Sequence, residues 1–535
     1  VSEEARVARK AGLVGAATLL SRVLGLVREQ VMATLFGAGF ATDAFNVAFR
    51  VPNLLRDLFA EGAMSSAFVP TFTETREKQG LDEAWALGRQ LMVTLALVLA
   101  GLCVVGYLLA PWVVRLYAPG FEAVPGKLDL TVMLTRVMLP FLPAVALAAV
   151  VMGMLNASSR FGVPALAPAL MNAGMVVGGI ALLPACRAWG QPPILAMAVG
   201  VVLGGIAQFV VQLPPLMRLG FRPRLERPIG HPGVRRVALM MVPATIGLAA
   251  TQLNLFVSTL IASLLQQGSV SWLWYAFRLM QLPIGVFGVA LATVSMTELS
   301  RAAVTRELGA LKTTLSATVR LVVVLTLPAA LFLMAMARPV IALLYEHGRF
   351  GPIDTIRTGD ALLAYGVGLP AFAVVGVLTR TFYALGETQA PVRASFVSVG
   401  LNLGLNLLFI GPLRGLGLEH VGLALATSLT AIANAAQLFW MLRQRLGLLE
   451  GRRMLATGAR ALTASGVASL LCAAGVAWWG EGWHRGWLIE GATVAAGFVV
   501  WLGASVALMR LFRVEELGAL ESLARGAARR LIGRG

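Results

Sequence analysis

The chain has 535 residues, of which 58% are hydrophobic and 13% charged, and its formal charge is +18. A mean hydropathy of +0.79 excludes an ordinary soluble domain, and the repeated long apolar runs define an all-α, polytopic membrane protein. The runs lack the polar–apolar alternation of a membrane β-barrel, and no basic stretch interleaves with stacking aromatics, so the charge is not read as a nucleic-acid footprint.

Crossing a hydrocarbon core of about 30 Å takes about 20 helical residues, and fourteen segments approach or exceed that length. Span one, 9–35, contains SRVLGLVRE at 21–29, which puts Arg22, Arg28 and Glu29 inside a lipid-compatible helix. An ionisable side chain at that depth costs roughly 2.5–3.5 kcal/mol on insertion scales, so it normally faces a protein interior or a wet path. Span two, 43–70, carries Asp43, Arg50, Arg56, Asp57 and Glu61 around Pro52. At about 100° per residue, Arg22 and Glu29 share a face, as do Asp43, Arg50 and Asp57, which predicts internal pairing for part of this charge. Spans three to six, 90–110, 130–155, 163–183 and 194–217, add only Arg136. A basic linker, 218–236, leads to spans seven to twelve at 237–265, 272–297, 313–336, 358–383, 394–410 and 421–442, which contain Arg278 and Arg320. Spans thirteen and fourteen, 461–479 and 488–509, precede a tail in which Leu517, Leu520, Leu523 and Leu531 oppose Arg525 and Arg529. That pattern fits a helix on the inner leaflet or a simple topological anchor.

The bland readings are structural. Arg50 with Asp57 suits an internal pair, and Arg136 and Arg320, near span ends, suit snorkelling to the headgroups. Arg22, Arg28, Arg56 and Arg278 lie away from the ends or beside Gly25, Pro52 or Pro283, and there are too few acids to pair them all. Guanidinium groups lining a path would bind an anion, and phosphate above all, through charge-assisted bidentate contacts. The four predict an anionic substrate.

Lys and Arg gather in alternate connections, most densely in 218–236, 443–460 and 510–534, which predicts cytoplasmic termini. An offset of about 227 residues relates AFR at 48–50 to AFR at 276–278, Thr73-Glu74 to Thr297-Glu298, and Leu139-Pro140 to Leu369-Pro370. The expected organisation is therefore an N-lobe over 1–217, the linker 218–236, a pseudo-symmetric C-lobe over 237–442, two extra helices over 443–513 and the tail 514–535. Cys103, Cys186 and Cys472 lie far apart and read as packing residues. His231, His347, His420 and His484 fall in separate connections without metal-ligand spacing, and no phosphate-cradling GxxxxGK[ST] loop occurs, so no metal, cofactor or enzymatic turnover is expected. Energy is expected from the membrane potential or an ion gradient. Trp478, Trp479, Trp483 and Trp487 read as interfacial anchors, and span one, long and interrupted by arginines, as a retained helix and not a signal peptide.

The segment ATDAFNVAFRVPNLLRDLFAEGAMSSAFVPTF at 41–72, preceded by SRVLGLVRE and GAG at 37–39, resembles the lipid II flippases of the MurJ (MviN) family. The similarity continues through SVSWLWYAFRLMQLPIGVFGVALATV at 269–294 and YALGETQAPV at 383–392. The resemblance implies the multidrug/oligosaccharidyl-lipid/polysaccharide exporter fold, with fourteen helices, two lobes, a cationic cavity and a lipid-tail groove from the last two helices. It implies a bacterial inner-membrane location and lipid II, an undecaprenyl-pyrophosphate-linked disaccharide peptide, as substrate, with membrane lipids and wall-synthesis proteins as further partners. Its functional positions correspond to Arg22, Arg28, Asp43, Arg56 and Arg278, with Ser21, Glu29, Asn53 and Glu61 nearby. Where many relatives carry acids beside the span-eight arginine, this chain has Phe277 and Gln281. Some relatives bind sodium with carboxylates of spans seven and eleven, but Asn254, Asn402 and Asn406 here are neutral, which argues against a sodium site. Export of another polyprenyl-linked glycan or of an amphipathic drug is the alternative that the fold allows.

Overall fold

The structure, a computed structural model, describes residues 3–57, 62–224, 226–228, 230–305, 307–480, 484, 486–518 and 520–521. Among them there is no strand. The helices are α1 (Glu3–Phe36), α2 (Phe40–Arg56), α3 (Gly62–Gln79), α4 (Leu81–Tyr117), α5 (Lys127–Met138), α6 (Phe141–Ala157), α7 (Gly162–Ala181), α8 (Leu183–Ala188), α9 (Leu195–Val210) and α10 (Leu213–Met217). They continue with α11 (Pro232–Ser263), α12 (Ser269–Pro283), α13 (Val289–Val304), α14 (Leu308–Ala335), α15 (Ala337–Tyr345), α16 (Pro352–Ala384), α17 (Gln389–Arg414), α18 (Glu419–Leu446), α19 (Gly451–Trp479) and α20 (Trp487–Leu511).

Among the described residues, ten helical segments are long and apolar enough to cross a membrane: α4, α5 with α6, α7, α9 with α10, α14, α16, α17, α18, α19 and α20. The other four expected spans fall on α1, α2 with α3, α11, and α12 with α13. The first two are less apolar because they hold Arg22, Arg28, Glu29, Asp43, Arg50 and Arg56. Two spans depart from single helices. Span two is divided between α2 and α3, with 58–61 outside the described residues. Span eight changes character at Pro283, which has no N–H to donate, and the chain passes through a π turn, Ile284–Gly288, before α13.

The chain divides into two compact units, Val1–Ser271 with Gly348–Phe350, and Trp272–His347 with Gly351–Gly535. In the first, α7 and α9 meet at glycines spaced four apart. A Cβ on Gly174 would lie 2.5 Å from the Cα of Gly204, and one on Gly178 would lie 2.6 Å from the Cα of Gly200. Such close approach is how helices gain packing energy in lipid, where little water is released on contact. A row of aromatics, Phe68, Phe72, Trp85 and Phe221, fills the core at centroid spacings of 5.5–5.6 Å.

Pro111 within α4 leaves the carbonyl of Tyr107, one turn earlier, without its helical donor. Arg136 of α5 supplies one: its Nε donates to the Tyr107 oxygen at 3.1 Å, and its guanidinium lies 4.6 Å from the Tyr107 ring centroid. The expectation that Arg136 snorkels is thus corrected, because a carbonyl orphaned in an apolar helix is a nearer partner than a headgroup.

In the second unit, Ser428 of α18 donates to the carbonyl of Ala364 in α16 at 2.7 Å, and Gly368 allows the approach. Arg320 of α14 does not snorkel either. Its Nε lies 2.7 Å from Glu516 and its Nη1 3.5 Å from Glu450, with Arg320 and Glu516 both buried. Val514 and Leu517 are buried with Val324, Ala461, Ala464 and Met509, and Leu520 packs against them. The described start of the tail therefore folds onto protein; Leu523, Arg525, Arg529 and Leu531 lie outside the described residues. Trp478, Trp479 and Trp487 are exposed, as interfacial anchors are. Trp483 lies outside the described residues. Cys103, Cys186 and Cys472 are free thiols.

Candidate functional site

The intramembrane charges of the first unit form three clusters. In α1, Arg28 and Glu29 are 6% and 5% exposed and ion-paired through Arg28 Nη2. Arg28 Nη1 donates to Asn172 Oδ1 of α7 at 3.0 Å, and Asn172 Nδ2 donates to the carbonyl of Ser21 at 3.1 Å. One amide thus fixes the arginine and ties it to the backbone almost two turns away. Arg22, on the intervening surface of α1, is half-buried and has no hydrogen-bond or ion-pair partner among the described residues. The predicted Arg22–Glu29 pairing is absent: the buried acid takes the arginine that the neighbouring helix already holds in place.

Asp43 in the first turn of α2 is 1% exposed and saturated. Its Oδ1 accepts from the Ser271 amide at 2.9 Å and the Ser271 hydroxyl at 2.6 Å, and its Oδ2 accepts from the Gly268 amide at 2.8 Å and Lys127 Nζ at 2.9 Å. Lys127 is equally buried, its Nζ 4.2 Å from the Phe121 ring centroid. Four donors converging on one carboxylate offset its removal from water. The Asp43–Arg50 pairing expected from helical periodicity does not form.

At the other end of α2, Arg56 grips Asp57 through Nη2 at 2.9 Å and Nε at 3.2 Å. Asn53 and Gln252 Nε2 complete the cluster at 3.5 and 3.2 Å from Asp57 Oδ2. Asp57 therefore pairs with its neighbour and not with Arg50. The Arg56 side chain is 18% exposed. Glu61 lies outside the described residues.

In the second unit, Arg278 of α12 lies 4.6 Å from the Trp274 ring centroid, one turn back. Phe277 packs edge-on against Tyr365 at 5.4 Å and Phe372 at 6.5 Å, and Gln281 is exposed. The Trp274 face supports this cation. Asn402 and Asn406 are fully buried in the second unit, Asn406 donating to Asn402 at 2.9 Å and Asn402 to Thr430 at 3.4 Å. Asn254 belongs to α11 of the first unit, where its buried Oδ1 has no hydrogen-bond donor among the described residues. No cluster of three or more His, Cys, Asp or Glu suited to a metal ion occurs among the described residues.

Asn172, Lys127, Gln252 and Trp274 were not singled out from sequence. Asn172 had a signal, being the one polar side chain in GVPALAPALMNAGMVVGGIA. Lys127 opens a helix after a Pro-Gly turn and reads as an ordinary interfacial lysine until the fold brings it to Asp43.

Long apolar helices in two units, with arginines retained inside the less apolar α1 and α2, define a multi-pass membrane protein. The family model described as lipid II flippase MurJ matches residues 32–493. A lipid II flippase MurJ of Burkholderia cenocepacia is 39% identical over 432 residues, 80% of this chain and 82% of the relative. A probable lipid II flippase MurJ of Vibrio cholerae is 36% identical over 446 residues, covering 82% and 83%. A solved structure of lipid II flippase MurJ in an inward closed conformation superposes with a TM-score of 0.74 at 26% identity, covering 93% of this chain and 99% of that one. An inward-facing multidrug-resistance MATE transporter of the MOP superfamily shares the fold, with a TM-score of 0.67 at 16% identity over 82% of this chain and 99% of that one. The chain belongs to the MurJ family of lipid II flippases.

Proposed function

We propose that this chain carries lipid II from the inner to the outer leaflet of the bacterial cytoplasmic membrane by alternating access. Fourteen spans, six in each of two lobes over 1–217 and 237–442 with two more over 443–513, form the carrier, and both termini are cytoplasmic. The observation that carries the reading is the state of α1. Arg28 is locked by Glu29 and Asn172, while Arg22 is a half-buried residue with no hydrogen-bond or ion-pair partner among the described residues. A permanent cation in a membrane span, with no counter-ion among the described residues, calls for an anionic ligand. The lipid-linked pyrophosphate supplies it, contacting Arg22, Arg28 and Arg56 in the first unit and Arg278 in the second.

Ser21, Glu29, Asn53 and Glu61 are the polar neighbours of these arginines, and Asp43 acts by holding the start of α2, since its acceptor sites are filled. An inside-negative potential favours outward movement of the anionic headgroup by about 2.3 kcal/mol per charge per 100 mV and favours inward return of the empty cations. The same potential serves both half-cycles.

Binding tests the reading directly. Purified wild type should bind lipid II, Arg28→Ala should lose about tenfold or more in affinity, and Asn172→Leu should lose a similar part by freeing Arg28, in line with about 1.5–3 kcal/mol for a hydrogen bond to a charged group. Equal affinities for the three folded proteins would defeat it.

A further inference from the structure

Outside the arginine clusters, one group of titratable side chains has no part in the proposed transport. His484, between α19 and α20, stands between two carboxylates: its Nε2 is 3.0 Å from Glu346 Oε1 and its Nδ1 is 3.0 Å from Glu490 Oε1. The Glu346 and Glu490 side chains are 9% and 6% exposed and that of His484 is 37% exposed. Glu346 directly follows α15, and its second oxygen accepts from the Thr355 hydroxyl of α16. Glu490 sits in the first turn of α20, where the helix dipole favours an anion. One imidazole therefore ties the start of α20 to α15 and α16.

The proton count makes this arrangement more than a brace. A neutral imidazole has one N–H and one lone pair. With both ring nitrogens against carboxylate oxygens, a neutral ring could satisfy only one of them and would turn a lone pair toward the other. Both contacts form only when the three groups share one proton more than a neutral imidazole and two carboxylates hold. A carboxylate buried without its donor costs enough to open the contact.

We propose that Glu346, His484 and Glu490 form a proton-binding latch, closed when a proton from water occupies it and open when that proton leaves. Loading changes the cluster from two net negative charges to one, and loss of the proton frees the start of α20 from α15. The nearby charged groups are committed elsewhere. Asp354 accepts from Trp272 Nε1 and the Gly351 amide, Asp360 faces Arg338 at 3.6 Å, Arg357 donates to the Gly417 carbonyl, and His347 contacts the Leu343 carbonyl. Glu481 and Arg485 flank His484 in sequence and lie outside the described residues. The latch does not depend on the identity of the cargo.

Hydrogen exchange on the full-length protein in zwitterionic-lipid nanodiscs tests the proposal, read at residues 487–494 over a range of rising pH and corrected for intrinsic exchange. Wild type should lose about tenfold in protection across this range. Glu490→Gln should stay protected throughout, because its amide donates to the ring lone pair without an added proton. His484→Gln should be poorly protected at every pH while α7 and α9 keep their protection. A flat wild-type profile, or a Glu490→Gln profile that follows the wild type, would overturn the proposal; should His484→Gln fail to fold, the Glu490→Gln comparison decides alone.

Discussion

Asp43 shows how much a single buried carboxylate depends on partners that are distant in sequence. Its charge is held by Lys127 and by Gly268 and Ser271, 84 to 228 residues away. Removing Lys127 leaves that charge buried without its counter-ion, an error that typically costs about 3–5 kcal/mol, whereas neutralising both partners costs far less. Lys127→Met should therefore lower the thermal unfolding temperature sharply, and Asp43→Asn in the same chain should restore much of the loss. Additive losses in the double variant would contradict the pairing. At this scale the sequence announced that charge lay inside the membrane but not how it was paired. Helical periodicity can propose only partners one or two turns away on the same helix, whereas Asp43 found its partners elsewhere in the chain and Asp57 took the arginine directly before it. Asn172 was missed for the same reason, since its partners Ser21 and Arg28 lie on another helix.

Elements were more legible, because length and hydropathy are local properties. Ten of the expected segments fall on helices long and apolar enough to cross a membrane, and departures among the others have local causes, such as Pro283 and the π turn after it. Pro111 is subtler: the proline was visible, but the donor that compensates for it, Arg136, is a product of packing. If Arg136 serves the carbonyl that Pro111 orphans, Arg136→Met should destabilise the wild type and cost much less in a Pro111→Ala background. A coupling of about 1–3 kcal/mol is expected in the double-mutant cycle, and strict additivity would refute the assignment.

The tail gives a pH prediction. The Arg453 guanidinium bonded to Glu515 holds that carboxyl below its ordinary value of 4.5. A lowered carboxyl stabilises the folded arrangement at any pH above its unfolded value and ceases to do so as pH falls through the folded one. Proteolysis within 514–521 should thus stay slow at neutral and mildly acid pH and rise only below the normal carboxylate range. Arg453→Ala should move that rise to higher pH.

At the scale of the whole molecule, membrane insertion and transport make opposite demands. Most of the chain is made compatible with lipid by glycine-mediated contacts, such as that of α7 with α9, and by aromatic packing, while α1 and α2 keep charges that insertion disfavours. Those charges were the clearest functional signal in the sequence, because membrane insertion disfavours them. What the sequence could not supply was their state: Arg28 clamped on two sides, Arg22 left without a partner among the described residues, and Arg278 resting on Trp274 in the second unit.

The most direct test of cation-mediated lipid II transport is outer-leaflet accessibility of lipid II in cells depleted of their own flippase, complemented with equal amounts of wild type or Arg28→Ala. Wild type should restore accessibility and Arg28→Ala should not. Accessibility restored equally by both proteins would contradict the role of the cations, and none restored by a well-folded wild type would contradict lipid II as the cargo.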